Sequence, residues 1–191
     1  MKTNLTGMPK RMDTIFIGWK RPQEGWVKLN CDGTHKSSAN LSGCGGLLRD
    51  SSSICLVSYA CILGTCDHAL HAEMWGMYLG MGLALRQGIT HLPVDSDSKV
   101  LVDMVTGNCT MNGSIPTLVR RIRDLKSMNW QVHINHTWRE GNKSTDWLAN
   151  FSLSLNSFEL HVLEAPPRDL KRLLFDDISG ACIPRNVPLN L

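Results

Sequence analysis

The chain has 191 residues, 42% hydrophobic and 19% charged, with a net charge of +3; this is one domain's length with room for a core, and it excludes disordered, collagen-like and coiled-coil chains. The most apolar stretch, Ile54 to Leu63, is too short to cross a bilayer, and residues 1–20 carry Lys2, Lys10, Arg11 and Lys20 without a secretion signal's apolar run, so an intracellular protein of nucleus or cytoplasm with no membrane partner is expected. The seven cysteines contain no Cys-x-x-Cys pair, which points away from zinc and disulfides and towards small buried side chains.

Charge is concentrated at the start. Residues 1–21 hold five basic side chains and one acid, whereas residues 22–150 hold eleven of each. The neutral middle neither argues for a polyanionic partner nor excludes one, because carboxylates that hold cations would leave it locally positive. The expected organisation is a flexible basic arm at 1–24, a globular domain at 25–152, and a C-terminal extension at 153–191 that packs on or trails the domain.

In chain order, Trp26 to Cys31 alternates as a strand and Asp32-Gly33 reads as its terminating turn. Gly43 to Leu48 and Ile54 to Leu63 predict two further strands around a polar hairpin turn, Arg49 to Ser53. His68 to Gln87 has helical spacing in Leu70, Met74, Met77, Met81, Ala84 and Leu85, with Gly88 as the stop. Gly76, Gly80 and Gly82 each cost such a helix about 1 kcal/mol relative to Ala, which reads equally as close packing against another backbone or as ordinary drift. Ile89 to Val94 predicts a fourth strand, Lys99 to Val105 and Ile115 to Lys126 two helices, and Trp130 to Trp138 a fifth strand. A loop at Arg139 to Lys143 and a helix from Ser144 to about Ser152 follow. In the tail, Pro166-Pro167 predicts the start of a short helix carrying Leu170, Leu173 and Leu174. This mixed order implies an α/β fold, a five-stranded sheet flanked by helices.

Four carboxylates stand where such a fold exposes chemistry: Asp32 and Asp97 just past predicted strands, Glu73 in the long helix, and Asp146 near the start of the last helix. Taken singly, Asp32, Asp97 and Asp146 are equally explained as turns and helix caps. Glu73 is different, because Ala72-Glu73-Met74-Trp75 lies in an apolar stretch where an unpaired carboxylate is costly to bury. Hard oxygen ligands of this kind suit Mg²⁺ or Mn²⁺.

The segments Leu29-Asn30-Cys31-Asp32-Gly33-Thr34, His71-Ala72-Glu73-Met74-Trp75-Gly76, Asp95-Ser96-Asp97-Ser98-Lys99 and Asn142-Lys143-Ser144-Thr145-Asp146-Trp147-Leu148-Ala149 together resemble the four motifs of ribonuclease H. More narrowly, they resemble the plant reverse-transcriptase-like ribonuclease H domain of non-LTR retrotransposons and its stand-alone relatives. The resemblance runs from about Trp26 to Phe151 and implies the ribonuclease H-like fold. It implies a Mg²⁺-dependent endonuclease, with Mn²⁺ as the other candidate ion, that hydrolyses the RNA strand of RNA–DNA hybrids. Asp32, Glu73, Asp97 and Asp146 become the metal-binding, catalytic carboxylates of a two-metal site, with the ions about 3.5 to 4 Å apart. Asp32 would bridge both ions, Asp146 would hold the ion that activates water, and Glu73 and Asp97 the other. Glu73 and backbone groups after Asp32 would read the 2′-hydroxyls. Gly33, Thr34, Arg139 and Asn142 are the expected substrate-binding residues, the last two as phosphate or substrate contacts.

The subgroup's usual Glu is Asp95 here, which is left outside the ligand set. His136 lies ten residues before Asp146, as in relatives with a loop histidine, but within a predicted strand, so a structural or surface role is expected. The rival reading is a domesticated nucleic-acid-binding or interaction module without catalysis. Four intact ligand positions favour the enzyme.

Overall fold

The computed structural model describes residues 12–65, 68–109 and 116–188. Its strands are β1 (Met12–Ile17), β2 (Lys28–Lys36), β3 (Leu41–Arg49), β4 (Cys55–Gly64), β5 (His91–Ser96), β6 (Gln131–His136), β7 (His161–Leu163) and β8 (Ile183–Pro188). The helices are α1 (Ala69–Arg86), α2 (Lys99–Thr106), α3 (Thr117–Lys126), α4 (Lys143–Ser152) and α5 (Arg168–Ile178). The main sheet has the order β6-β5-β2-β3-β4-β7. Short turns make β2, β3 and β4 an antiparallel meander, whereas β5 and β6 reach their places through helices and therefore run parallel to β2 and β5 respectively. The sheet has one strand more than expected, because β7 is three residues long and pairs with Ser58–Ala60 of β4, too short for a periodic signal.

Both faces of the sheet are covered. Leu29, Cys31 and Leu48 meet Met74, Met77 and Met81 of α1 and the apolar sides of α2 and α3. Leu47, one residue from Leu48 and so on the opposite face, meets Leu148 of α4 and Leu170 and Leu174 of α5. Burying each such leucine is worth about 1.5–3 kcal/mol. The expected tail helix is thus present and closes the second face.

Three sequence expectations change. First, the lead-in without an element is corrected: Met12–Ile17 pairs antiparallel with Ile183–Pro188 in a separate two-stranded sheet, from Met12↔Pro188 to Ile17↔Ile183. A partner more than 160 residues away leaves no local signature. Residues 1–11 lie outside the described residues. Second, Asp32-Gly33 is no turn, because β2 continues to Lys36, held by pairing with β3 down to Lys36↔Leu41. Third, Arg49 belongs to β3 rather than to the hairpin turn; that turn is closed by Ser53 N–H donating to Asp50 O at 3.0 Å.

The glycines of α1 divide. A Cβ on Gly76 would lie 2.7 Å from Asp32 O, the backbone approach expected, whereas one on Gly80 would overlap the side chains of Tyr59 and Leu29. Gly82 faces only the far end of Arg86. Among the cysteines Cys31, Cys44 and Cys61 are buried, but Cys182 is exposed, against expectation; Cys66 lies outside the described residues.

Candidate active site

Parallel pairing of β2 with β5 ends at Cys31↔Ser96, so Asp32 and Asp97 follow the last paired residues of adjacent strands. Helix α1 crosses directly over β2 at this point. A Cβ on Gly33 would overlap the backbone at Ala72 and Glu73, so the missing side chain is what lets Glu73 reach the strand. One carboxylate oxygen each from Asp32, Glu73 and Asp97 lies within 4.8 Å of the others. Helix α2 is capped by Ser98 Oγ accepting from Leu101 N–H at 3.5 Å, which leaves Asp97 free of the capping role.

Asp32 is 6% exposed. Burial first, then the charges of Asp97 and Glu73, push its carboxyl up to about 9, against the lowering bond from Gly33 N–H to Asp32 Oδ1 at 2.8 Å. Burial and then Asp97 raise Glu73 to about 7, although Ser98 and Ser96 stabilise its anion; the Ser96 Oγ donor is 3.4 Å from Glu73 Oε2. Asp97 is raised as well, mainly by burial, while Arg139 and His136 oppose the shift. The cationic neighbour, Arg139, places Nε 3.4 Å from Asp97 Oδ2, but its side chain is 88% exposed and water screens it. Three carboxylates held this close, with no buried cation between them among the described residues, form a donor set that suits a hard divalent ion.

Asp146 is exposed on the first turn of α4 and lies outside the 4.8 Å group. It faces Asp97 across an open cleft of about 370 Å³ that Arg139, Glu140 and Lys143 also line, and its charge raises both Asp32 and Asp97.

The expected substrate contacts fare unequally. Arg139 remains at the surface beside Asp97, whereas the half-buried Thr34 lines a second open cleft, where its Oγ1 donates to Asn150 Oδ1 at 3.3 Å. Gly33 is corrected to a packing residue whose N–H is engaged by Asp32. Asn142 is corrected too. It is 2% exposed, its Nδ2 donates to Cys31 O at 3.1 Å and its Oδ1 accepts from Asn30 Nδ2 at 3.2 Å, so it ties α4 to β2 and is buried away from the surface where a phosphate would lie. Asp95 points into an ion pair with Lys28 at 2.7 Å and accepts from Asn135 Nδ2 at 3.2 Å. His136 ends β6 and packs against Trp138 with ring centroids 5.4 Å apart.

The family model described as reverse transcriptase-like matches residues 30–152, which carry all four carboxylates. The chain belongs to this family. Over 185 residues this reverse transcriptase-like chain is 32% identical to an Arabidopsis thaliana protein bearing the name ribonuclease H protein; the match covers 97% of the chain and 30% of that protein, so the chain spans under a third of its relative's length. Among solved structures it is similar to RNase H1 of the archaeon Halobacterium salinarum (TM-score 0.62, 21% identity, 66% of this chain and 96% of that one). The N-terminal RNase H domain of a Mycobacterium tuberculosis protein is as similar (TM-score 0.62, 23% identity, 66% and 92%). LC11-RNase H1, solved in complex with an RNA/DNA hybrid, follows (TM-score 0.59, 19% identity, 66% and 96%). These likenesses establish the ribonuclease H fold. β1, α5 and β8 lie outside the family match.

Ser96 and Ser98, which steady Glu73, and Arg49 with Asn30, which fix the site from below, were not expected. The serines had a local signal, flanking Asp97 in Asp95-Ser96-Asp97-Ser98. Arg49 had none, since its acidic partner Asp177 is 128 positions away.

Proposed function

We propose that this chain is a divalent-metal-dependent endonuclease that hydrolyses the RNA strand of RNA–DNA hybrids. One observation carries the reading: three largely buried carboxylates share oxygens within 4.8 Å at the end of the parallel strands, in a chain of the reverse transcriptase-like family. The name of the Arabidopsis relative and the hybrid bound by LC11-RNase H1 support the substrate class.

Asp32, Glu73 and Asp97 would hold one Mg²⁺ or Mn²⁺, and Asp146, across the cleft, would complete a second position with Asp32. When bound, such ions neutralise the scissile phosphate and lower the pKa of a water. The residues themselves do the following. Asp32 and Glu73, raised by burial and mutual repulsion, release their protons as cations enter. Arg139, extended into solvent beside Asp97, meets a backbone phosphate and holds the strand in register. Glu73, seated on the rigid helix α1, accepts from a ribose 2′-hydroxyl, a group DNA lacks. Water attacks phosphorus in line as the P–O3′ bond breaks, leaving 5′-phosphate and 3′-hydroxyl ends.

The test is incubation of the purified chain with end-labelled RNA–DNA hybrid and Mg²⁺, beside the Asp32→Asn variant. Cleavage of the RNA strand that the variant lacks is the expected result. Hybrid binding without cleavage, by a folded wild-type chain in either Mg²⁺ or Mn²⁺, overturns the reading in favour of a binding module.

A further inference from the structure

The segments outside the family match converge on the floor of this site. Trp19 Nε1 donates to Asn30 Oδ1 at 2.9 Å, and the same oxygen accepts from Arg49 Nη2 at 3.0 Å. Arg49 is 1% exposed, its guanidinium lies 3.7 Å from the centroid of the Trp19 ring, and its Nη1 donates to Asp177 Oδ2 of α5 at 2.7 Å. That carboxylate oxygen also accepts from Ser144 Oγ at 3.0 Å, two residues before Asp146. On the other side of the hub, Asn30 bonds Asn142, whose backbone oxygen accepts the N–H groups of Thr145 and Asp146, each at 3.1 Å. Asn142 Nδ2 closes the circuit on Cys31 O, next to Asp32.

A second grip comes from β8. Arg185 Nη1 donates to both Glu140 carboxylate oxygens at 2.9 Å and its guanidinium stacks 4.1 Å over the Trp138 ring. These residues flank Arg139.

We propose that the Trp19 segment, α5 and β8 form a positioning clamp, with Arg49 as its hub, that fixes the Trp138–Asp146 segment and hence Arg139 and Asp146 at a set separation from Asp32. Through Arg49 of β3 and Asn30 of β2, the circuit links the terminal segments to the strand bearing Asp32 and the segment bearing Asp146. Asp146 is exposed, so its distance from Asp32 is decided by where the first turn of α4 sits, and that turn is held by Asn142 and Ser144. The hub requires an arginine: one planar fork reaches Asp177 and Asn30 at once while stacking on Trp19, which an ammonium cannot do. Arg49, Asp177 and Arg185 are positioning residues, and the clamp rests on the nuclease reading for its consequence in catalysis.

The experiment uses the full chain and the variants Asp177→Asn, Arg49→Lys and Arg185→Ala. Amide hydrogen exchange is followed at Thr145 and Asp146 and, as a reference, at Met77 in α1, together with Mn²⁺ binding by electron paramagnetic resonance and the Mg²⁺ dependence of hybrid cleavage. In Asp177→Asn and Arg49→Lys, exchange quickens more at Thr145 and Asp146 than at Met77. The metal concentration for half-maximal cleavage rises about tenfold, as for loss of other groups that orient metal ligands, with KM for the hybrid unchanged and kcat recovered at high Mg²⁺. Arg185→Ala shifts the same readouts in the same direction by less. Exchange that quickens equally across the molecule, with Mn²⁺ binding and Mg²⁺ requirement unmoved, overturns the clamp. If Arg49→Lys does not fold, Ser144→Ala removes one link while leaving the Arg49–Asp177 pair, and the same two patterns decide. A wild-type chain that does not cleave hybrids, combined with localised exchange in Asp177→Asn, refutes the nuclease reading and leaves the clamp standing.

Discussion

Strand β2 buries its polar face as well as its apolar one, and the two ends of that polar face are treated oppositely. Lys28 and Asn30 are 7% and 1% exposed, and both are matched: Lys28 by Asp95, Asn30 by Trp19, Arg49 and Asn142. Two residues further along the same face, Asp32 is as deeply buried but, beside the Gly33 N–H bond, faces the negative charge of Glu73 and Asp97. A fold that matches buried polarity at one end and concentrates negative charge at the other marks the second end as the candidate cation site, since such repulsion persists only where the surrounding structure enforces it.

The sharpest way to break this contrast is to neutralise one member of each end. Asp32→Asn removes a ligand, and we expect hybrid cleavage to fall about 10³-fold, in line with the several kcal/mol that metal positioning contributes to a phosphoryl-transfer barrier. At the balanced end the loss falls on stability: Asp177→Ala leaves the Arg49 charge buried without its counter-ion and should cost about 3–5 kcal/mol in urea unfolding. If that variant were as stable as wild type, the matched end would not be the structural one.

The third prediction uses pH. The folded-state values of Asp32 and Glu73, about 9 and about 7, lie above their ordinary values of 3.8 and 4.5, so between these limits the native chain binds more protons than the unfolded one. Their favourable contribution is complete below the ordinary values and is lost as pH rises, first through about 7 and then through about 9. The metal-free protein should therefore melt lower at pH 9 than at pH 6, and Mg²⁺ should close the gap by binding the anions. Asp32→Asn should flatten the slope and raise the metal-free melting temperature at pH 8 by about 2–4 °C, equivalent to about 1 kcal/mol for a chain of this size. A melting temperature unchanged by the substitution would show that Asp32 carries no electrostatic penalty.

The smallest effect is expected at the rim. Arg139→Ala should change stability by less than about 0.5 kcal/mol because the pair with Asp97 is solvated. It should nevertheless shift the pH midpoint of metal binding upward, since Arg139 is what opposes the rise of Asp97, and calorimetric titration of Mn²⁺ at several pH values would register it.

Much of the architecture was legible in the chain because it is written in local periodicity. The long helix, the capped helix after Asp97, the tail helix behind Pro166-Pro167 and the meander all follow from patterns spanning fewer than about twenty residues. The misreadings share one cause. Asp32-Gly33 has turn chemistry, but pairing with β3 and the passage of α1 over Gly33 keep it extended, and tertiary contact overrides propensity there. Asn142 looks like a surface loop residue, and only the fold turns it inward between β2 and α4.

The sequence by itself singled out Asp32, Glu73, Asp97 and Asp146, because they stand in four motifs that resemble those of ribonuclease H. It determined the helices and the meander, because amphipathic period is a property of neighbours along the chain. Tertiary structure alone decided that Asp32, Glu73 and Asp97 share one point while Asp146 stands across a cleft, that Gly33 is a crossing point, and that Met12–Ile17 pairs with Ile183–Pro188 as β1 and β8. Those outcomes depend on contacts between segments from 24 positions apart, Glu73 and Asp97, to more than 160 apart, β1 and β8, whose free energy arises only when both partners are desolvated together.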